Sequence, residues 1–313
     1  MTSMWRTYSA VLVVAAVVAV LPYIVPSTFY LRIAALVFIF SIAVLGLNLL
    51  MGFAGQVSLG HAGFFGIGAY AVAVAPTHFG MPGWLALILG VAVAGLLAFI
   101  IGRPILKLKG HYLAVATLGM GILIAMVFTN EARFTGGPDG MAVPRLELFG
   151  WVARGSVTWY WISGCTLVLA VLLAVNLIDS PTGRALRAIH DSEVASRVLG
   201  IDVARYKLIA FVLSAIYAAL AGAYLALFDG LVTPGTAGFL RSIEFVTMAV
   251  LGGLGSILGS VVGAALLTIL PQVLTVFHDY EHIALGLIMI VFMIFLRAGI
   301  VPSLAGLFRR KTS

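Results

Sequence analysis

Long apolar blocks separated by short polar segments make up most of the chain. The hydrocarbon core of a bilayer is about 30 Å thick and takes roughly 20 apolar residues of α-helix to cross. Nine blocks approach or reach that length, and they cover residues 8–25, 31–51, 61–75, 84–101, 112–129, 159–178, 208–228, 243–270 and 282–296. They are continuously apolar, whereas the strands of a membrane barrel alternate apolar and polar residues. The pattern predicts an all-α integral membrane protein, a polytopic bundle of about nine or ten transmembrane helices.

Two of the blocks can each be interpreted in two ways. The block 243–270 contains Gly252, Gly253, Gly255 and Gly259, so it is either one tilted helix or two short crossings with a bend near Gly255. The first block has no small-x-small cleavage site before Pro22 and is followed by further apolar blocks. We therefore expect an uncleaved first span rather than a removed signal peptide.

Composition excludes a water-soluble protein. Hydrophobic residues make up 62% of the chain and charged residues only 9%, whereas soluble domains carry about 25% charge. The net charge of +7 is spread singly between apolar blocks, which indicates membrane topology and not nucleic-acid binding. The single cysteine, Cys165, lies inside an apolar block, so a disulfide framework and a cysteine metal site are excluded.

The basic residues predict the orientation. With the N-terminus in the cytoplasm, the basic clusters around residues 103–109 and 184–207 fall on the cytoplasmic side, where positive charge is expected. The cluster at 309–311 joins them only if the number of crossings is even, which favours splitting the block 243–270 and gives ten crossings. Both termini are then cytoplasmic. We expect a single transmembrane domain over 1–313 with two long loops, one external at 130–158 and one cytoplasmic at 179–207.

The sequence of the cytoplasmic loop predicts two short helices. Ser180 before Pro181 is typical of a helix start, and Ser192 can cap a second helix that Gly200 ends in a left-handed conformation. Asp202 then caps the helix that enters the membrane.

The second of these short helices has two marked faces. Val194, Val198 and Ile201 form an apolar edge, while Glu193 and Arg197 form an i,i+4 pair on its flank. The spacing is equally compatible with docking to a partner and with a loop that lies on its own bundle or on the headgroups.

A second candidate feature is a glycine-rich break at membrane depth. Residues 53–60 hold Gln56, Ser58 and two glycines, Gly55 and Gly60. A helix broken there leaves peptide groups that only protein or a water-lined cavity can satisfy, and transporters build pathways at such breaks. The glycines at 255, 259 and 263 are better explained by tight helix packing.

Ionisable groups inside the blocks are few. His61 lies beside the break, with Asn48 and Gln56 as its nearest polar neighbours in sequence. An intramembrane ionisable residue is a functional hypothesis, although a single histidine near a helix end is more often a hydrogen-bonded structural residue. No catalytic set and no phosphate-binding G-x4-G-K-[ST] loop are present, so we expect no enzyme activity and no ATP site on this chain.

Several segments resemble the membrane permeases of ATP-binding-cassette importers for branched-chain amino acids, the LivH/LivM family, and among them the LivM type. The matching residues run through most of the chain: Leu47-Asn48-Leu49-Leu50-Met51-Gly52-Phe53-Ala54-Gly55-Gln56-Val57-Ser58-Leu59-Gly60-His61-Ala62, Leu106-Lys107-Leu108-Lys109-Gly110, Thr135-Gly136-Gly137-Pro138-Asp139-Gly140, Gly183-Arg184-Ala185-Leu186-Arg187-Ala188-Ile189 and Gly252-Gly253-x-Gly255-Ser256.

The resemblance implies the partners and the coupling element. It implies that 193–200 is the coupling helix, which sits in a groove of an ATPase subunit, and that a second permease of LivH type, two ATP-binding subunits and an external substrate-binding protein complete the transporter in the bacterial inner membrane. ATP and Mg would bind to the ATPases, with no cofactor or metal on this chain. The expected coupling residues are Arg187, Glu193, Ala195, Arg197 and Gly200.

We therefore expect alternating access, with ATP-driven movement of the coupling helix opening and closing a path through the bundle. The expected path residues are Asn48, Gln56, Ser58, His61 and Thr117. The alternatives are a permease for another small solute such as urea, a short amide, another amino acid or a sugar, a secondary carrier, and an intramembrane enzyme that uses His61.

Overall fold

The computed structural model describes residues 2–25, 27–148 and 150–274, with a few positions between 286 and 303. Among these residues, seven helical segments are long and apolar enough to cross a membrane, which confirms the predicted all-α polytopic fold. The segments are Thr28–Phe53, His61–Phe79, Gly83–Ile105, His111–Asn130, Gly155–Asp179, Val203–Asp229 and Ile257–Leu274. The predicted last block lies mostly outside the described residues, and the basic cluster at 309–311 lies wholly outside them.

The helices are numbered in chain order. They are α1 (Thr2–Ile24), α2 (Thr28–Asn48), α3 (His61–Phe79), α4 (Gly83–Ile105), α5 (His111–Asn130), α6 (Ala132–Thr135), α7 (Gly155–Asp179), α8 (Pro181–Asp191), α9 (Glu193–Val198), α10 (Val203–Asp229), α11 (Phe239–Gly252) and α12 (Ile257–Leu274). Most of the spans extend past the apolar blocks that predicted them, because helical hydrogen bonding continues through the polar residues at their ends.

Helices α2, α3 and α10 form the centre of the bundle. α10 packs on α2, α3 and α4, and α2 packs in addition on α7 and α12. Aromatic pairs fill the contacts: the Phe64 and Phe211 rings are 5.6 Å apart edge to face, and the Phe65 and Phe245 rings are 5.1 Å apart. α5 lies at the periphery, and only four of its 20 residues are buried.

Both predicted helix breaks are present. α2 ends in a π-helical turn, Leu49–Phe53, after which residues 54–60 are non-helical until α3 begins at His61. The block 243–270 divides into α11 and α12, joined by 253–256, where Gly253 and Gly255 have positive φ. α11 has 14 residues, so it is about 21 Å long and shorter than a full crossing. The division is confirmed, while the count of ten crossings remains a prediction.

One end of the bundle, called here the strand end, carries short strands. β1 (Met141–Ala142) pairs antiparallel with β4 (Leu231–Val232), and β2 (Glu147–Leu148) pairs with β3 (Trp151–Val152). The first pairing ties the long segment between α5 and α7 to the turn after α10. This segment ends four residues earlier than the sequence suggested, because α7 begins at Gly155.

The opposite end, called the hairpin end, carries α8 and α9. α10 begins at Val203, so the connection between the two spans is shorter than the predicted loop 179–207. Lys207, which the sequence placed in that loop, lies in the second turn of α10 and is 3% exposed.

Candidate functional site

The hairpin formed by α8, α9 and residues 199–202 is held by the predicted caps. The Ser180 hydroxyl accepts a hydrogen bond from the Gly183 N–H at 3.3 Å, and the Ser192 hydroxyl accepts from the Ala195 N–H at 3.2 Å. The Asp202 carboxylate accepts from the Arg205 N–H at 3.1 Å. Each cap satisfies a backbone donor that a helix start leaves unpaired.

α8 holds the hairpin against the end of α2. Leu186 and Ile189 are buried beneath it. The exposed Arg187 donates to the Ile178 carbonyl at 3.2 Å and lies 6.0 Å above the Phe53 ring. At Gly55, where φ is +66°, an added Cβ would lie 2.9 Å from His190 Nδ1. α8 therefore touches the first residues of the break that follows α2.

α9 presents an apolar edge with nothing from the described chain covering it. Val194 is 70%, Val198 83% and Leu199 77% exposed. Ala195 and Gly200 are exposed beside them, and Gly200 adopts the predicted left-handed conformation, with φ of +80°. The sequence predicted Val194 and Val198 on this edge. The third residue of the exposed edge is Leu199 and not the predicted Ile201, which is half-buried.

Glu193 joins the hairpin to α10. Its carboxylate forms an ion pair with the buried Lys207 ammonium, and Arg197 lies 3.9 Å from the other carboxylate oxygen. The sequence analysis treated Lys207 only as a topology charge. A signal was available, because Lys207 shares one face of α10 with the buried residues Val203, Ala210, Phe211 and Ser214.

Gln56 is buried within the non-helical segment 54–60. Its backbone N–H donates to the Leu50 carbonyl at 3.0 Å and its Nε2 to the Ala54 carbonyl at 3.1 Å. The side-chain oxygen Oε1 is buried and has no hydrogen-bond partner among the described residues. A buried acceptor left free is a position at which a water, a ligand or a rearranged backbone can bind.

α5 closes over the same segment. The Thr117 hydroxyl accepts from the Leu59 N–H at 3.1 Å and donates to the Ala114 carbonyl at 2.9 Å. A Cβ on Gly60 would collide with the Thr117 carbonyl oxygen, so α5 and the segment meet backbone to backbone. This close contact explains the glycine at position 60.

Both ring nitrogens of His61 are occupied. Nε2 lies 3.0 Å from the Ala43 carbonyl, and Nδ1 lies 3.2 Å from the Ser214 hydroxyl. A carbonyl only accepts, so the network assigns the proton to Nε2 and leaves Nδ1 to accept from Ser214. This geometry matches a hydrogen-bonded structural histidine that joins α3 to α2 and α10.

Asn48 lies at the second break. Its Oδ1 accepts from the Gly255 N–H at 2.8 Å, while Nδ2 donates to the Ser256 carbonyl and the Ser260 hydroxyl, each at 2.8 Å. The amide thus replaces hydrogen bonds that the helix loses between α11 and α12. At Gly52 an added Cβ would collide with the Gly255 backbone, so the two breaks are in contact.

The structure therefore brings the predicted residues into two groups. The predicted path residues surround the two adjacent breaks and are all at most 4% exposed: Asn48, Gln56, Ser58, His61 and Thr117. The predicted coupling residues belong to the hairpin. Two connections join the groups, the contact of His190 with Gly55 and the helix α10, which carries both Lys207 and Ser214. Within the described residues, no cluster of His, Cys, Asp and Glu could hold a metal ion.

Comparison with known proteins places this arrangement among membrane permeases. The family model for the permease component of the branched-chain amino acid transport system matches residues 29–296. The high-affinity branched-chain amino acid transport system permease protein LivM of Salmonella typhimurium is 33% identical over 294 residues, covering 86% of this chain and 69% of the relative.

More distant relatives carry similar names. The permease protein LivH of Escherichia coli is 27% identical over 265 residues, which cover 78% of this chain and 84% of LivH. The permease protein BraD of Pseudomonas aeruginosa is 26% identical over 275 residues, which cover 81% of this chain and 89% of BraD. No solved structure matches the chain significantly.

Proposed function

The chain belongs to the family of permease components of branched-chain amino acid transport systems, and from this we propose that it is one membrane subunit of an ATP-driven importer for leucine, isoleucine and valine. A second permease of LivH type, two ATPase subunits and an external binding protein complete the transporter. ATP and Mg bind to the ATPases, and this multi-pass chain supplies no catalytic group or cofactor. The hairpin end and both termini face the cytoplasm of the bacterial inner membrane.

The exposed apolar edge of α9 is the observation that carries the coupling part of this proposal. Val194 and Val198 project from α9, a helix of six residues that is anchored to the bundle on its other side, and Leu199 projects from the residue that follows it. Clustered exposed apolar side chains on a short element are typical of an interaction site. A groove on an ATPase subunit would remove them from water.

The contacts of the hairpin supply a route from the ATPase to the path. A displacement of α9 moves α10 through the Glu193–Lys207 pair, and α10 moves His61 through Ser214. A displacement of α8 acts directly on Gly55. Because residues 54–60 are non-helical, their rearrangement breaks fewer backbone hydrogen bonds than bending an intact helix. The proposed path residues are closed in this conformation and become accessible when the segment moves.

Replacing the exposed edge tests this function. The triple variant Val194→Ser, Val198→Ser and Leu199→Ser should reduce ATP-dependent leucine uptake by the reconstituted complex on the order of tenfold or more, because burying even one Val or Leu side chain in a groove contributes about 1.5 kcal/mol. Binding of leucine to the external protein should be unchanged. Uptake into proteoliposomes measures the loss of transport. Co-purification of the ATPase subunits measures the loss of docking.

The control is Leu231→Ser, which changes an exposed apolar residue at the strand end, away from the hairpin. Glu193→Arg is a poorer test, because the new guanidinium would face the buried Lys207 and unfold the hairpin instead of only undocking it. Full uptake by the triple variant would refute the coupling role of α9. A binding protein that delivers urea or a sugar would refute the proposed substrate class and leave the coupling role intact.

A further inference from the structure

A cleft of about 1070 Å³ opens at the hairpin end, beside α9. Its walls are the last turns of α4, the turn that holds Leu106, Lys107 and Lys109, the flank of α9 with Glu193 and Arg197, and the first turns of α10. It is separate from the two helix breaks, since the buried path residues do not line it.

The mouth of the cleft is positively charged. Arg103, Lys107, Lys109 and Arg205 line it with exposed side chains, and none of them forms an ion pair within the described part of the chain. The two carboxylates of the cleft are already engaged, since Glu193 pairs with Lys207 and Asp202 caps α10. The free charge at the mouth therefore suits an anion.

The inner wall of the cleft is apolar. Phe99 faces it from α4, one turn before Arg103, whose guanidinium lies 4.4 Å from the Phe99 ring centre. Ile209 and Leu213, one turn apart on α10, line the same cleft, whereas their neighbours Leu208 and Val212 also pack on the core. A basic mouth at the end of two transmembrane helices thus continues into an apolar groove at membrane depth.

We propose that this cleft binds one anionic glycerophospholipid of the leaflet at the hairpin end. The headgroup phosphate is held by Arg103, Lys107, Lys109 and Arg205, and an acyl chain lies along Phe99, Ile209 and Leu213. Guanidinium and ammonium groups bind phosphate oxygens by charge-assisted hydrogen bonds, and basic pockets between transmembrane helices suit anionic headgroups. A lipid is favoured over an ATPase surface because a soluble domain does not reach an apolar wall inside the bilayer. The inference goes beyond the proposed transport function and does not depend on the solute.

Native mass spectrometry of the intact complex tests the site. With equal amounts of phosphatidylglycerol and phosphatidylcholine, the unchanged complex should retain a phosphatidylglycerol molecule that the triple variant R103Q/K107Q/K109Q loses. Each basic residue near an anionic surface contributes about a factor of five, so the affinity should fall on the order of a hundredfold. Leu213→Trp, which fills the acyl groove and leaves the charges in place, should release the same lipid.

The control is R133Q/R145Q/R154Q, which removes three exposed arginines from the segments between α5 and α7 and changes the net charge equally. Loss of the lipid from this control would show bulk electrostatics and overturn the site. Equal retention of phosphatidylcholine would overturn it as well. If R103Q/K107Q/K109Q keeps the lipid and instead loses the ATPase subunits, the cleft is a protein interface and the lipid assignment is wrong.

Discussion

At the scale of single residues, Lys207 has the most unusual environment. An ammonium group that leaves water is stable only when a carboxylate and hydrogen-bond acceptors replace its hydration. Lys207 in α10 is buried, and Glu193 from the preceding helix, α9, provides the carboxylate. The pair therefore fixes where α9 lies relative to α10.

Removing one member of the Glu193–Lys207 pair should lower the stability of the hairpin more than removing both. We expect Lys207→Met or Glu193→Gln to destabilise the hairpin by about 3 kcal/mol, since breaking a buried ion pair leaves an uncompensated charge or an unsatisfied partner. The double variant should recover a large part of this loss. Thermal unfolding of the purified complex, followed as a double-mutant cycle, measures the coupling between the two residues.

Arg197→Gln is the matched control, because Arg197 lies 3.9 Å from the same carboxylate and is exposed. Exposed ion pairs contribute about 0 to 1 kcal/mol, so its effect should be small. Additive losses in the Lys207 and Glu193 variants would contradict the role assigned to this pair.

The residues that were predicted correctly and those that were missed differ in how local their contacts are. Ser180, Ser192 and Asp202 were identified as caps because a cap bonds to a donor three residues ahead. Lys207 was missed because its partner, Glu193, lies 14 residues away and on another helix. The sequence reveals which helix face Lys207 occupies but not what packs against that face.

At the scale of elements, the two helix breaks support each other. The side chain of Asn48 bonds to Gly255, Ser256 and Ser260, and so occupies the gap between α11 and α12. The sequence grouped Asn48 with the proposed path residues. Its contacts in this structure are those of a brace between α2 and the second break.

Replacing Asn48 should loosen the second break selectively. In Asn48→Ala the Gly255 N–H loses its acceptor and the Ser256 carbonyl loses one of its donors, and each intramolecular hydrogen bond that is lost costs about 1 kcal/mol. We expect faster amide hydrogen exchange across 253–256 and at the start of α12, measured by mass spectrometry on the detergent-solubilised complex.

Thr268→Val serves as a control, because among the described residues the Thr268 hydroxyl bonds only within its own helix, to the Ala264 carbonyl. An Asn48→Ala variant with normal exchange at 253–256 but altered solute preference would contradict the bracing role and favour direct contact with the solute.

Glycine content predicted where the helices break, because repeated glycines weaken a helix and permit positive φ. It did not predict what fills the breaks. Leu59 bonds to Thr117, 58 residues later, and Asn48 to Gly255, 207 residues later. Such contacts depend on how the helices assemble, which no local pattern records.

At the scale of the whole molecule, the apolar blocks were sufficient to predict a bundle, since each span is long and continuously apolar. The apolar blocks did not predict which helices lie at the centre of the bundle and which lie at its periphery. α10 is central and α5 is peripheral, although the two helices are equally apolar in sequence. In lipid, apolar composition does not separate buried faces from lipid-facing ones.

The orientation can be tested with single cysteines. In a Cys165→Ser background, Leu199→Cys at the hairpin end should be protected from a membrane-impermeant maleimide in intact spheroplasts, and Trp151→Cys at the strand end should be labelled. Both positions are exposed. Positive charge concentrates on the cytoplasmic side of membrane proteins, which predicts that the hairpin end lies inside.

Lysis of the spheroplasts provides the control, because both cysteines should then react. Labelling of Leu199→Cys in intact cells would reverse the proposed orientation and remove the basis for cytoplasmic docking of α9.

The segment 54–60 also constrains the order in which the protein can be assembled. A non-helical stretch at membrane depth needs outside partners for its peptide groups, and here Leu59 relies on Thr117 in α5 while the adjoining Ala62 relies on Ser242 in α11. Both partners are translated after the segment itself. During biosynthesis, the Leu59 and Ala62 N–H groups therefore lack these native partners until α5 and α11 have been made. We expect the nascent permease to depend on its insertion machinery for longer than a bundle of unbroken helices would.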